Sequence, residues 1–129
     1  MRIGELAAAA GTTTKALRFY EQAGLLLPPQ RTPAGYRDYT DAAVSRLDFV
    51  RRGQAAGLTL AQIRQVLEVR DAGQAPCQHV VALLDRRLED LDAQLAELRT
   101  LRNSIAGLRA RAGGADERAC PEDQVCRYL

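Results

Sequence analysis

Three cysteines are the residues of this chain best suited to chemistry, and their placement is uneven. Cys77 stands alone, whereas Cys120 and Cys126 bracket Pro121-Glu122-Asp123-Gln124-Val125. A five-residue gap of proline and polar residues can curl until both sulfurs face one ion, and thiolates are soft donors suited to thiophilic metals. Cys77 follows Pro76, and proline is tolerated where a helix begins. The partial positive charge of a helix N-terminus lowers a thiol pKa, so a thiolate becomes available near neutral pH. Two thiolates suffice for a linear monovalent ion such as Cu(I), Ag(I) or Au(I). A third adds negative charge and suits soft divalent ions: Hg(II), Pb(II), Cd(II) or Zn(II), the last two preferring four ligands. His79 is the only histidine and points about 200° round a helix from Cys77, which leaves Glu122, Asp123 or water to complete a shell. Blander readings stand beside these. Cys77 can be a small buried hydrophobe, and Cys120 with Cys126 can form a disulfide or a thiol-redox switch, which a reducing compartment disfavours. No imidazole faces Cys77 and no cofactor motif appears, so the chain does not read as an enzyme.

These thiols need elements to position them. The chain has 129 residues, 47% of them hydrophobic, but only 5% aromatic, a balance that favours helices over a β-sandwich. Neither a membrane-spanning stretch nor a secretory signal is visible, which predicts a cytoplasmic protein. Ile3, Leu6, Ala7 and Ala10 have helical spacing, with Gly11 as a stop. Thr12 or Thr13 can cap a second helix carrying Ala16, Leu17 and Tyr20, closed by Gly24. Two short helices about a tight turn outline a helix-turn-helix. Three prolines and Gly35 exclude a helix over residues 28–39, where a small hairpin or wing fits. A third helix starts at Thr40 or Asp41 with Val44, Leu47 and Phe49 or Val50 inward. A fourth starts at Thr59 with Leu60, Ile63, Val66 and Leu67 as its stripe.

From Cys77 to about Arg111 the only breaker is Gly107. Val81, Leu84, Leu88, Leu91, Leu95 and Leu98 step by three and four, a heptad seam that Leu101, Ile105 and Leu108 continue after a phase shift. Residues 1–75 are too few to cover such a seam, so a second copy of the chain, parallel or antiparallel, is its simplest partner. The expected organisation is a DNA-binding unit over 1–75, a dimerisation helix over 76–112 and a metal-binding tail over 113–129. Residues 1–75 hold ten basic and seven acidic side chains, whereas residues 76–129 hold eight and nine. That surplus is small, but Lys15 and Arg18 share one face of the second helix, where they can reach bases or phosphates. Arg31 lies at a base of the wing, and Arg51 and Arg52 are either solvated or near DNA.

Four motifs in order, Ile3-Gly4-Glu5-Leu6-Ala7, Thr14-Lys15-Ala16-Leu17-Arg18-Phe19-Tyr20-Glu21, Gly24-Leu25-Leu26 and Gly35-Tyr36-Arg37-Asp38-Tyr39, resemble the DNA-binding domain of MerR-family transcriptional regulators. The cysteine-bearing tail places the resemblance in the heavy-metal-responsive branch. It implies an all-α fold with a small wing: a winged helix-turn-helix followed by a long antiparallel coiled-coil dimerisation helix. It implies a homodimer that binds double-stranded promoter DNA with an overlong spacer, distorts it when metal binds, and so lets RNA polymerase engage. Arg18 and Tyr20 match the family's backbone-contacting pair, and Gly35-Tyr36-Arg37 matches its wing, with Arg37 as the strongest phosphate ligand. An antiparallel dimer would join Cys77 of one copy to Cys120 and Cys126 of the other. Monovalent sensors that resemble this chain carry serine where Cys77 stands, so the expected cofactor is a soft divalent ion. A copper, silver or gold sensor and a redox regulator are the alternatives.

Overall fold

The computed structural model describes all of residues 1–129. Its elements are α1 (Ile3–Ala10), α2 (Thr14–Gln22), β1 (Gln30–Arg31), β2 (Arg37–Asp38), α3 (Asp41–Ala55), α4 (Leu60–Asp71), α5 (Cys77–Gly113) and a single 3-10 turn, Glu117–Ala119. The chain divides into two compact units, Met1–Arg87 and Leu88–Leu129, so the first unit includes the opening three turns of α5. No helix is long and apolar enough to cross a membrane.

Capping chemistry sets the helix starts in the first unit. Thr13 accepts a hydrogen bond from the Ala16 amide and begins α2. Thr59 and Gln62 form a full capping box at α4, each side chain accepting from the other's backbone N–H. Thr40 caps α3 without a side-chain bond, and Asp41 in the first turn complements the helix dipole. Gly11 closes α1. The predicted wing is a two-stranded antiparallel hairpin with Arg31 opposite Arg37, and the Tyr39 amide beyond it donates to the Met1 carbonyl at 2.7 Å.

Two clusters hold the elements together. Leu6, Ala7, Leu17, Leu26, Tyr39 and Leu47 form one, behind α2, and Leu25, Val50, Ile63 and Leu67 form the other, between α3 and α4. Gly53 is buried where α3 meets α4, and a Cβ there would sit 2.9 Å from Ile63 Cδ1. The helices approach that closely because Gly53 has no side chain. Arg46 adds a polar tie: Nε donates to the Leu25 carbonyl at 2.6 Å, and the guanidinium grips Asp71 at 2.7 and 3.0 Å. That grip holds the Asp71 carboxyl below the usual carboxylate range.

Arg46→Ala should therefore lower unfolding free energy by about 2 kcal/mol, the scale of charged hydrogen bonds discounted for the partial exposure of Asp71. Because the Asp71 pKa is depressed in the folded state, the pair contributes above the unfolded carboxylate pKa and fades as pH falls through the folded one. Urea titrations at pH 7 and at pH 3 check this. The gap between wild type and variant should narrow at the lower pH.

The long helix α5 runs from the first unit into the second and remains helical to Gly113. Val81, Leu84, Leu88, Leu91, Leu95 and Leu98 are all between 36% and 63% exposed, and Leu101 and Ile105 are exposed with them. The seam read from the sequence is present and lies uncovered from Val81 to Ile105, while Leu108 at its end is half-buried.

Candidate nucleic-acid interface and thiol sites

The core behind α2 fixes which of its side chains face outward. Leu17 is fully buried, so Lys15 and Arg18 stand on the exposed side, and neither forms an ion pair within the chain. Phe19 is exposed beside them, its ring centroid 5.8 Å from that of Tyr20. Tyr20 itself is half-buried and packs against both core clusters, and its hydroxyl lies 3.5 Å from Gln54. Its ring is a structural wedge with only the polar tip near the surface.

At the wing, the Arg31 guanidinium donates to the Gly35 carbonyl at 3.0 Å and Thr32 Oγ1 accepts from the Tyr36 amide at 3.2 Å. Both bonds brace the hairpin tip. Tyr36 is exposed, with the Arg2 guanidinium 4.3 Å above its ring centroid, a cation–π stack that brings the start of α1 to the wing. Arg37 pairs with Glu21 at 2.7 Å while the Tyr39 hydroxyl donates to the other Glu21 oxygen at 2.6 Å. The Tyr39 hydroxyl and the Glu21 carboxylate raise the Arg37 pKa further. Burial, reinforced by the bond to Glu21, pushes the Tyr39 phenol up. The wing is thus bolted to the end of α2 by a carboxylate that receives two donors, and Arg37 keeps more than a third of its side chain exposed. Arg52 pairs with Asp48 at 3.3 Å. The Arg51 guanidinium packs over Gly11 at the turn into α2.

The sequence reading missed Glu21 as the anchor of the wing and Arg2 as a neighbour of Tyr36. A signal for the first existed: an acidic residue ends the motif that begins at Thr14, and a basic one sits in the motif that ends at Tyr39.

All three thiols are free. Cys77 is the exposed first residue of α5, Cys120 is half-buried just after the 3-10 turn, and Cys126 is exposed. Within a single chain no group of three or more His, Cys, Asp and Glu side chains is gathered to hold a metal ion. His79 Nε2 is buried without a hydrogen-bond partner, on the Leu83 side of α5, one helical turn before that 2%-exposed leucine. Cys77 opens to solvent while the half-buried His79 has its Nε2 covered on the Leu83 side, so the two do not form a ligand pair.

A winged helix-turn-helix whose second helix exposes Lys15 and Arg18 has the build of a DNA-binding regulator of transcription. Residues 1–69 match the family described as MerR HTH family regulatory protein, and residues 44–108 match the one described as MerR, DNA binding. The chain belongs to the MerR family, whose members are transcription regulators and not enzymes. It is 34% identical over 123 residues to the mercuric resistance operon regulatory protein of Bacillus cereus, covering 95% of this chain and 87% of that one. Among solved structures, the regulator PbrR691 of Ralstonia metallidurans CH34 in complex with lead(II) is similar with 38% identity and a TM-score of 0.75, covering 93% and 94% of the two chains. MerR of Bacillus megaterium MB1 in complex with mercury(II) is similar with 30% identity and a TM-score of 0.63, covering 98% and 92%.

Proposed function

We propose that the protein is a cytoplasmic, metal-responsive regulator. It binds a promoter operator as a homodimer and activates transcription by distorting the DNA, so that RNA polymerase engages. The ion is a soft divalent one, Hg(II), Pb(II), Cd(II) or Zn(II), held by Cys77 of one subunit and by Cys120 and Cys126 of the other. One observation carries this reading: α5 begins at an exposed free Cys77 and presents an uncovered apolar seam for most of its length. A second copy on that seam, running antiparallel, brings the tail of one chain to the helix start of the other. The lead(II) and mercury(II) complexes of similar proteins support divalent ions. In this reading Lys15 and Arg18 meet the major groove. Arg18, Tyr20, Arg31, Tyr36 and Arg37 serve the backbone contacts, positioning the protein while DNA deformability supplies part of the sequence choice.

Bound at the thiolates, the ion supplies a cross-link between subunits. The chain's own part is to order residues 113–129 and change the relative setting of the two DNA-binding units, a switch only if the two states bind DNA with different geometry. Metal titration of the reduced protein, followed by thiolate charge-transfer absorption, tests the assignment. Saturation is expected at about one divalent ion per chain, and Cys77→Ser should weaken it about a hundredfold, roughly one ligand's share of a thiolate site's binding free energy. Tightest binding of Cu(I) or Ag(I), with Cys77 still open to alkylation, would overturn it in favour of a monovalent sensor.

A further inference from the structure

The opening turns of α5 have two working faces. His79, Leu83 and Arg87 recur every four residues and form one row down the helix. Each is less exposed than most of its neighbours, with Leu83 at 2%. Val81, Leu84 and Leu88 form the start of the uncovered seam, centred roughly 130° round the helix at 3.6 residues per turn. The first row packs into the Met1–Arg87 unit and the second awaits a partner.

Arg87 ends the docked row. Its Nε donates to the Ala56 carbonyl at 3.2 Å, one of the last carbonyls of α3, which have no partner inside their helix. A cation there also complements the negative end of the α3 dipole. No other side-chain hydrogen bond or ion pair joins α5 to α1–α4. The next residue is shaped for the contact. Gly57 has φ +83°, and a Cβ on it would lie 2.6 Å from both Nε and Nη2 of Arg87. The α3–α4 turn is therefore bare where the guanidinium rests. Behind that turn, Val50 and Leu47 of α3 belong to the two clusters that support Leu25 and α2.

We propose that Arg87 is a positioning residue for the switch: it is the strut through which α5 sets the α3–α4 turn, and with it the helix that faces DNA. This rests on the function proposed above, because a change in how α5 is held by its partner needs a stiff route to α2. Leu83 supplies apolar grip and Arg87 supplies direction, since a hydrogen bond to one carbonyl fixes a rotation that apolar packing leaves free.

The test uses the full-length dimer and promoter DNA that the dimer selects from a random pool, labelled at both ends for energy transfer. Bend is read without metal and with each of Hg(II), Pb(II), Cd(II) and Zn(II), and run-off transcription is read alongside. Arg87→Ala should keep operator and metal affinity within about threefold of wild type, while the metal-dependent steps in bend and transcription fall about tenfold, the size of a typical coupling term. Arg87→Lys should recover part of both steps. Gly57→Ala, which displaces the guanidinium, should repeat the loss. An undiminished bend step in Arg87→Ala would overturn the strut, as would a loss that merely tracks lowered melting temperature and that Arg87→Lys does not relieve. A wild type without a metal-dependent step would sink the metal-responsive reading instead. The metal-free bend then decides the strut, which falls if wild type and Arg87→Ala bend the DNA equally.

Discussion

Leu95→Glu combined with Leu98→Glu is expected to leave a well-folded monomer that no longer holds its operator. Both leucines lie in the Leu88–Leu129 unit, on the seam, at 58% and 63% exposure. Neither contributes to the buried clusters of the first unit, so the DNA-binding fold should survive. In a two-stranded coil each would be covered by the partner helix, and burying a leucine side chain is worth about 1.5–3 kcal/mol. Four such residues per dimer are lost, and four carboxylates are placed in a seam whose own positions are all apolar. Sedimentation should show the monomer mass. Operator affinity should fall by about two to four powers of ten, because a dimer's second half-site engages at the high effective concentration that a linked domain supplies. Helical circular dichroism should drop modestly, since an isolated long helix without its partner is only marginally stable in water. Retention of the dimer by the double variant would show that the seam is not the subunit interface.

That seam was legible in the sequence because a heptad is a local pattern carried by one residue type at fixed intervals. The caps and stops were legible for the same reason. Thr13, Thr59, Gly11 and the prolines before the wing act on backbone within a turn of themselves. What escaped notice is long-range and polar. Arg46 meets Leu25 and Asp71 across 21 and 25 residues, and Glu21 meets Arg37 and Tyr39 across 16 and 18. No spacing rule reports such pairs, because a long charged side chain can find its partner wherever the fold brings one.

The second face of α5 was hidden differently. Val80, Val81, Leu83 and Leu84 are all apolar, and a heptad register takes one member of each pair and leaves the other unexplained. An apolar arc wider than one seam at the start of the helix was the available signal that this part of α5 packs on two sides. For the thiols, the sequence placed each donor on its element: Cys77 at the first turn of α5, and Cys120 and Cys126 beyond its end. It had no means to gather them, and a single chain does not gather them either.

A mixed dimer separates the possible ways of assembling the thiols. One subunit carries Cys77→Ser, the other carries Cys120→Ser with Cys126→Ser, and distinct affinity tags select the heterodimer. If the three ligands come from two chains, the intact Cys77 of the second subunit faces the intact Cys120 and Cys126 of the first, and one complete site survives. The opposite end of the dimer then holds no thiolate at all. The heterodimer should bind about one divalent ion with near wild-type affinity, while each parent homodimer binds about a hundredfold more weakly or not at all, since a thiolate site loses a large share of its free energy with each ligand. If all three ligands belong to one chain, neither subunit of the heterodimer has a complete set, and tight binding disappears. Induction adds a further readout. A single occupied site cross-links the two subunits at one end only, so the transcriptional step should be intermediate if each end contributes to the setting of the DNA-binding units, and complete if one end moves both. The ion count therefore decides where the ligands come from, and the size of the induction step decides how symmetrically the two halves of the dimer respond.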